Sequence, residues 1–175
     1  MVMLVRRPSQ VFQACANPSD TSTSAFCPSH SDTVTAVVTA VRTYSGVRWV
    51  NVEAGLRALD MLLKPSPARP LDSHEACLQL LACGGVPVLV DQLRSPRALS
   101  DSSIAQLAAC ALASALSCGG SASVEALHAA RGAGAAAALS RLLAAHGSGA
   151  DVEILGALRA ASAALSLAQD SCTTV

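Results

Sequence analysis

Apolar residues recur along this chain at the spacing of one face of an α-helix, in the positions i, i+3, i+4 and i+7. Three stretches carry the pattern: Val34, Val37, Val38 and Val41; Val86, Leu89, Val90 and Leu93; and Ala135, Ala138, Leu139 and Leu142. Helices this short, apolar on one side, are unstable alone in water, so each is expected to pack against the others. The four valines would also suit a strand, but their spacing favours a helix over residues 33–45.

Each stretch is followed by a longer segment that continues the helical pattern. The first spans Trp49 to Lys64, the second runs from a cap at Ser100 or Asp101 to about Cys118, and the third runs from a cap at Asp151 to about Ala168. Inward positions are expected at Val52, Leu56, Leu59 and Leu63 in the first segment and at Ile104, Leu107, Ala108, Ala111 and Ala115 in the second. Trp49, the only tryptophan, is expected to pack in the core.

Proline, glycine and capping residues separate these helices. Asp72 and Glu75 have the spacing of a capping box, which predicts the start of a short helix that ends near Ala82. Residues 65–70 and 95–101 are expected to be loops because each contains Pro flanked by Ser, Ala or Arg. The other predicted boundaries are an N-cap at Ser31-Asp32, a stop at Gly119-Gly120, a short helix from Ser123 to about Ala130, and a hinge at Gly132-Ala133-Gly134.

Composition divides the chain into a tail and one domain. Residues 1–30 are rich in Ser, Thr and Pro without apolar periodicity, so we expect a disordered or loosely ordered tail. Residues 31–169 carry the helical pattern and are expected to form one repeat domain, followed by a frayed C-terminus over residues 170–175. Apolar residues make up 51% of the chain and aromatic residues only 2%, which predicts a core of Ala, Leu and Val.

Charge and cysteine content narrow the classes of partner and cofactor. Twelve basic residues balance twelve acidic ones, which argues against nucleic acid or an anionic membrane as a partner. The longest weakly polar run is shorter than the ~20 residues of a membrane-spanning helix. The seven cysteines are odd in number and form no CxxC pair, so free thiols in a reducing compartment are expected, cytoplasmic or nuclear. The four histidines show no ligand spacing with them, so we expect no metal and no cofactor.

The long segments repeat a dipeptide at a constant interval. Ala58-Leu59, Ala111-Leu112 and Ala164-Leu165 are each 53 residues apart. Self-similarity at about this period is typical of helical solenoids, in which each unit buries its apolar face on the next. The unit order is short helix, hinge, medium helix, loop and long helix. With Gly84-Gly85-Val86-Pro87-x-Leu89-Val90 at the hinge, this order resembles the armadillo repeat family over about residues 31–169.

The resemblance implies an all-α fold, a right-handed α-solenoid of about three armadillo-like helix triplets. It is clearest in the middle unit, partial in the first, which lacks its short helix, and degenerate in the third, where alanines replace the larger hinge residues. Armadillo proteins that hold extended peptides often carry an asparagine two residues after the Leu of the Ala-Leu pair. Those positions here are Met61, Ser114 and Leu167, so peptide clamping of that type is not implied.

The function expected from this resemblance is a non-catalytic scaffold that binds a partner protein, of unknown identity, along the groove lined by the long helices. The candidate groove residues are the polar residues of those helices: Arg48, Arg57, Asp60, Gln106, Ser114, Arg159 and Ser162. A solvated helix face would show the same residues. A further hypothesis is that the chain is a fragment or end-cap of a longer solenoid, or self-associates through exposed ends.

An enzyme of unrecognised type is the remaining hypothesis, with two candidate sites. Gly132-Ala133-Gly134 with the alanines after it fits a G-x-G-x-x-A nucleotide motif, but that motif requires a preceding strand where a helix is predicted. Cys118 is a candidate nucleophile, yet it follows a helix C-terminus, where the helix dipole disfavours a thiolate. We therefore expect no enzymatic activity and no catalytic residues.

Overall fold

Helices form the whole architecture of the part of the chain that the structure describes, which is residues 30–65, 70–147 and 152–170. The structure is a computed structural model. Over these residues it contains no strand, so the all-α prediction is confirmed. The helices are α1 His30–Tyr44, α2 Trp49–Leu63, α3 Pro70–Ala82, α4 Gly85–Arg94, α5 Pro96–Ser100, α6 Ser102–Leu116, α7 Gly120–Gly132, α8 Ala135–His146 and α9 Val152–Asp170.

The N-terminal pair α1 and α2 follows the predicted pattern closely. Val34, Val38 and Val41 are buried and Val37 is half-buried, so the valine stretch is a helix with one inward face. The helix begins at His30, which places Ser31 and Asp32 inside its first turn instead of at the predicted N-cap. In α2 all four predicted inward residues are buried, and Trp49 packs half-buried against the core.

The hinge between α3 and α4 is built on two glycines with different roles. Gly84 has φ +66°, a left-handed conformation that only glycine adopts at little cost. Gly85 opens α4 so close to the Leu80 side chain and carbonyl that a Cβ would not fit. The two helices consequently diverge by 78°, which lets α4 bury Val86, Leu89, Val90 and Leu93.

Three further predicted boundaries were wrong. Helix α3 begins at Pro70, where the missing N–H of proline is no loss, so Asp72 lies within the first turn instead of capping it. Residues 96–100 form the short helix α5 instead of a loop, because Ser95 accepts a hydrogen bond from the Ala98 N–H and Ala98 is fully buried. Helix α7 already begins at Gly120 and extends to Gly132.

The predicted apolar face of the third unit is confirmed, because Ala135, Ala138, Leu139 and Leu142 are all buried. The hinge glycines give a second alignment of this unit, one residue away. Gly134 has φ +80° and immediately precedes α8, as Gly84 immediately precedes α4. The two units therefore align with a shift of 50 residues, whereas the apolar stretches taken from the sequence align with a shift of 49. In the new alignment Leu89 matches Leu139, and buried Gln92 takes the position of buried Leu142.

The core centres on α6, which packs against α2, α9 and α4. Its alanines Ala105, Ala108, Ala109, Ala111 and Ala115 are fully buried, and their small side chains let the neighbouring helices approach closely. Of the inward positions predicted for this helix, Leu107 alone remains half-buried. The medium helices pack α1 on α4 and α4 on α8, and the short helices pack α3 on α7.

Several predictions fall on residues outside the described ranges. These are the tail over residues 1–29, the centre of the loop at residues 66–69, the N-cap at Asp151 with the turn before it, and the frayed end over residues 171–175.

Candidate functional site

The long helices α2, α6 and α9 lie side by side in that order and present a common surface. Residues 53 apart in sequence fall one on each of these helices, for example Glu53, Gln106 and Arg159. We call the common surface the α2–α6–α9 surface, and its members are exposed or half-buried: Glu53, Arg57, Met61, Ser103, Gln106, Cys110, Ser114, Glu153 and Arg159. Four candidate residues from the sequence belong to it, namely Arg57, Gln106, Ser114 and Arg159.

A row of hydrogen-bonded polar side chains crosses this surface from α2 to α9. Glu53 Oε1 accepts two hydrogen bonds of 3.0 Å, from Arg57 one turn later and from the Ser103 hydroxyl on α6. On the next interface Gln106 Nε2 donates to Glu153 Oε2 on α9 at 3.3 Å. These bonds hold the charged groups at fixed positions, and we call the five residues the polar row.

Asp60 is on α2 but differs from the other candidates in being buried, with 6% of its surface exposed. Its Oδ2 pairs with Lys64 Nζ at 2.8 Å, and this contact raises the pKa of Lys64 above its ordinary value. Its Oδ1 is buried without a hydrogen-bond partner among the described residues. Asp60 is therefore part of the α2–α6 interface, next to Cys110, and not an open contact residue.

The remaining candidates lie at separate places. Arg48 is exposed in the turn before α2, where its N–H donates to the Tyr44 carbonyl and its side chain makes no cap. Ser162 is half-buried on the side of α9 that faces α7 and α8. It helps line a cleft of about 190 Å³ with Arg131, Ala136, Ser140, Leu165 and Ser166.

Arg131 lines this cleft from α7, and its guanidinium donates a hydrogen bond to the Leu165 carbonyl at 3.2 Å. The Ser166 hydroxyl donates to the Ser162 carbonyl at 3.0 Å, so part of the local hydrogen-bonding capacity is used within α9. The cleft is lined by both polar and apolar side chains, and none of them belongs to the polar row.

The cysteines of the described segments are all free thiols, and two of them touch. Cys118 Sγ lies 2.8 Å from Cys77 Sγ, and Cys77 Sγ in turn donates to the Ala115 carbonyl at 3.4 Å. Burial, with the hydrogen bond from Cys118 next, holds the pKa of Cys77 far above its usual range. Burial also raises the pKa of Cys83 and of Cys110, and Asp60 adds to the effect at Cys110.

The two candidate enzyme sites have the following surroundings. The turn at Gly132-Ala133-Gly134 follows helix α7, whereas a dinucleotide motif follows a strand. Cys118 comes two residues after the end of α6, in contact with Cys77. Within the described ranges, no group of three or more His, Cys, Asp or Glu side chains could hold a metal ion.

No single helix in the described ranges is both long enough and apolar enough to span a membrane. Residues 72–82 of α3 reach the length and apolar content of a span only when they are combined with α4. The two segments are bent by 78° relative to each other.

Sequence reasoning missed Glu53 as the centre of the polar row, along with Ser103, Glu153 and the Cys77–Cys118 pair. The partners in these contacts are 41 to 50 residues apart, as expected for contacts between units or along one unit. The 53-residue interval could have indicated Ser103 and Gln106 as neighbours of α2, but it gives no side-chain rotamer. The thiol pair depends on where α3 crosses the end of α6, which no local pattern encodes.

A scan against protein-family models, a search of curated proteins and a search of solved structures each found no match to this chain.

Proposed function

We propose that this chain is an armadillo-like α-solenoid that acts as a non-catalytic interaction scaffold and binds a partner protein along the α2–α6–α9 surface. The observation that carries the proposal is the ordered packing of equivalent helices: α2 on α6 on α9, α1 on α4 on α8, and α3 on α7. A solenoid requires that equivalent helices of successive units stack on each other, because each unit covers the apolar face of the next.

A pair of equivalent hydrogen bonds between units supports the same arrangement. Arg42, in the last turn of α1, donates to the Cys83 carbonyl at 3.4 Å, just before the left-handed Gly84. Arg94, in the last turn of α4, donates to the Ala133 carbonyl at 3.4 Å, just before the left-handed Gly134. Each medium helix thus contacts the hinge of the following unit in the same way.

The chemistry of the surface indicates the mode of binding. Its positions at Cys110 and Ser114 are small, so a bound segment can lie close to the helices. Met61 is 73% exposed at one end and supplies an adaptable apolar contact, while the polar row supplies fixed charges of both signs. These features suit a peptide or helix with mixed polar and apolar side chains, and the inference from fold to function is by analogy.

The test is affinity capture with mass spectrometry on the full chain and on charge-reversal variants. We expect Arg57→Glu combined with Arg159→Glu to abolish specific capture while the helical circular dichroism spectrum is retained. Glu125→Arg is the matched control, because Glu125 is exposed on α7, outside the α2–α6–α9 surface. Partners that bind the wild type and the double variant equally would refute binding at this surface.

Self-association through the α1–α2 end is the second candidate, favoured by a specific observation. Val47 and Val50 are 75% and 78% exposed there. Val50 is 53 residues before Ser103, whose hydroxyl contacts the preceding unit, so Val50 occupies a position that faces a neighbouring unit in the middle of the stack. If this end pairs with another copy, sedimentation will show a concentration-dependent dimer that Val47→Glu with Val50→Glu abolishes. A monomer at every concentration would exclude it.

A further inference from the structure

The contact between Cys77 and Cys118 is the most specific chemical feature of the described chain that the proposed scaffold function does not use. The two sulfur atoms are 2.8 Å apart, whereas the S–S bond of a disulfide measures about 2.05 Å. The residues belong to different elements, α3 and the turn after α6, and lie 41 positions apart in sequence. Only a small side-chain movement therefore separates this dithiol from a cross-link between two helices.

We propose that Cys77 and Cys118 form a reversible oxidation site, at which a hydroperoxide converts the two thiols into a disulfide. The inference does not depend on the proposed function, because it follows from the thiol pair alone. Cys83 and Cys110 are the natural comparison, since they are also free and half-buried but have no sulfur partner in the described segments.

The two thiols have different surroundings, which assigns their roles. Cys77 is fully buried and its thiol donates a hydrogen bond to the Ala115 carbonyl, so an oxidant in the solvent cannot reach its sulfur atom. Cys118 is half-buried beside exposed Gly119 and is the thiol that a small oxidant can contact. Cys118 is therefore the peroxidatic residue and Cys77 the resolving one.

The reaction balances in two steps. The Cys118 thiolate attacks the hydroperoxide, an S–O bond forms, the O–O bond breaks, and the departing alkoxide takes a proton to leave as an alcohol or, from hydrogen peroxide, as water. Cys77 Sγ then attacks Cys118 Sγ, the S–S bond forms, the S–O bond breaks, and the departing hydroxide takes the Cys77 proton to leave as water. The thiols lose two electrons and the hydroperoxide gains them.

The cross-link would join α3 to the end of α6 within the middle unit. It closes a chain loop that contains the hinge at Gly84 and all of α4, so it restricts the unfolded chain strongly. We expect the oxidised protein to unfold at a temperature about 5–15 °C higher than the reduced protein.

The experiment treats the reduced full chain with hydrogen peroxide, blocks the remaining thiols with N-ethylmaleimide, and maps the non-reduced peptides by tandem mass spectrometry. We expect the number of blocked thiols to fall from seven to five, with Cys77 linked to Cys118 and full recovery on reduction. The Cys83→Ser and Cys110→Ser variants should form the same link and show the same rise in unfolding temperature.

Cys118→Ser is the informative variant, because residue 118 is half-buried outside a helix and the substitution is not expected to unfold the protein. It should lose both the cross-link and the oxidation-dependent shift in unfolding temperature. Oxidation that instead pairs Cys83, Cys110, Cys15, Cys27 or Cys172, or that stops at an over-oxidised Cys118, would overturn the proposal, as would no reaction in the folded wild type.

Discussion

Gln92 Nε2 donates a 2.7 Å hydrogen bond to Ser45 Oγ and so ties the middle of the fold to the turn after α1. Gln92 is 2% exposed, and its Oε1 is buried without a partner among the described residues. In the alignment set by the two left-handed glycines, the same position in the next unit is Leu142, which is fully buried. The amide thus occupies a core position at the cost of one unsatisfied acceptor.

The first prediction concerns that amide. Gln92→Leu should leave the free energy of unfolding unchanged or raise it by up to about 1 kcal/mol, because it removes a buried acceptor that has no partner. Gln92→Ala should lower it by about 1–3 kcal/mol, because it leaves a cavity. Urea denaturation followed by circular dichroism measures both. Equal destabilisation by the two variants would mean that the Ser45 hydrogen bond outweighs packing.

The second prediction concerns the ion pair between buried Asp60 and exposed Lys64. Lys64→Met should destabilise the fold by about 1–3 kcal/mol, because it leaves the buried carboxylate without its cation. Adding Asp60→Leu to this variant should recover most of the loss, because the buried charge is then gone as well. Urea denaturation measures both variants, and a double variant that is less stable than Lys64→Met alone would contradict this prediction.

The same pair gives a pH dependence with a defined sign. Asp60 raises the pKa of Lys64 in the folded protein above its ordinary value of 10.5. The stabilisation is therefore fully present below pH 10.5 and is lost as the pH rises through the Lys64 pKa of the folded state. The difference in stability between the wild type and Lys64→Met should shrink over that range.

The third prediction concerns the reactivity of Cys83 and Cys110. Burial raises the pKa of each thiol above its ordinary 9.0, so less thiolate is present at neutral pH than in the unfolded chain. Alkylation by iodoacetamide, followed for each peptide by mass spectrometry, should be slower in the folded protein and should keep accelerating above pH 9.0.

A matched variant separates the causes at these two cysteines. Asp60→Asn removes a negative charge that also raises the pKa of Cys110, so Cys110 should react faster in that variant at neutral pH. Cys83 should be unaffected, because its pKa is set by burial and local groups that do not include Asp60. Faster reaction of both cysteines would indicate general loosening of the fold instead.

Apolar spacing was sufficient to predict the helices and most of the core, because a 3.6-residue period fixes which side of a helix is buried. It located Val86, Leu89 and Leu93 correctly, together with the inward face of α2. It could not predict α5, since five residues are too few to show a period, and this helix depends on the cap at Ser95 and the burial of Ala98.

The candidate site was less predictable than the fold, because it depends on side chains from different helices. Arg57, Gln106 and Arg159 were chosen as polar residues of long helices, and each of them is exposed or half-buried on its helix. Asp60 was chosen by the same rule, yet it is buried, because polarity alone does not give the side of the helix. In the alanine-rich third unit the apolar spacing located the buried face of α8 correctly, whereas the two hinge glycines set a register one residue away from the apolar alignment.

The last prediction tests that register through the glycines of the second hinge. Gly134 has φ +80°, and a Cβ there would meet no atom within 4 Å, so any cost of Gly134→Ala arises from the backbone conformation alone. We expect a loss of about 1–2 kcal/mol in the free energy of unfolding.

Gly132, the last residue of α7, also has open space around it but no positive φ, so Gly132→Ala should stabilise the protein by about 0.5–1 kcal/mol. Urea denaturation of the two single variants gives opposite signs if Gly134 is the structural counterpart of Gly84. The reverse order of stability would instead place the left-handed residue at position 132 and shift the alignment of the third unit.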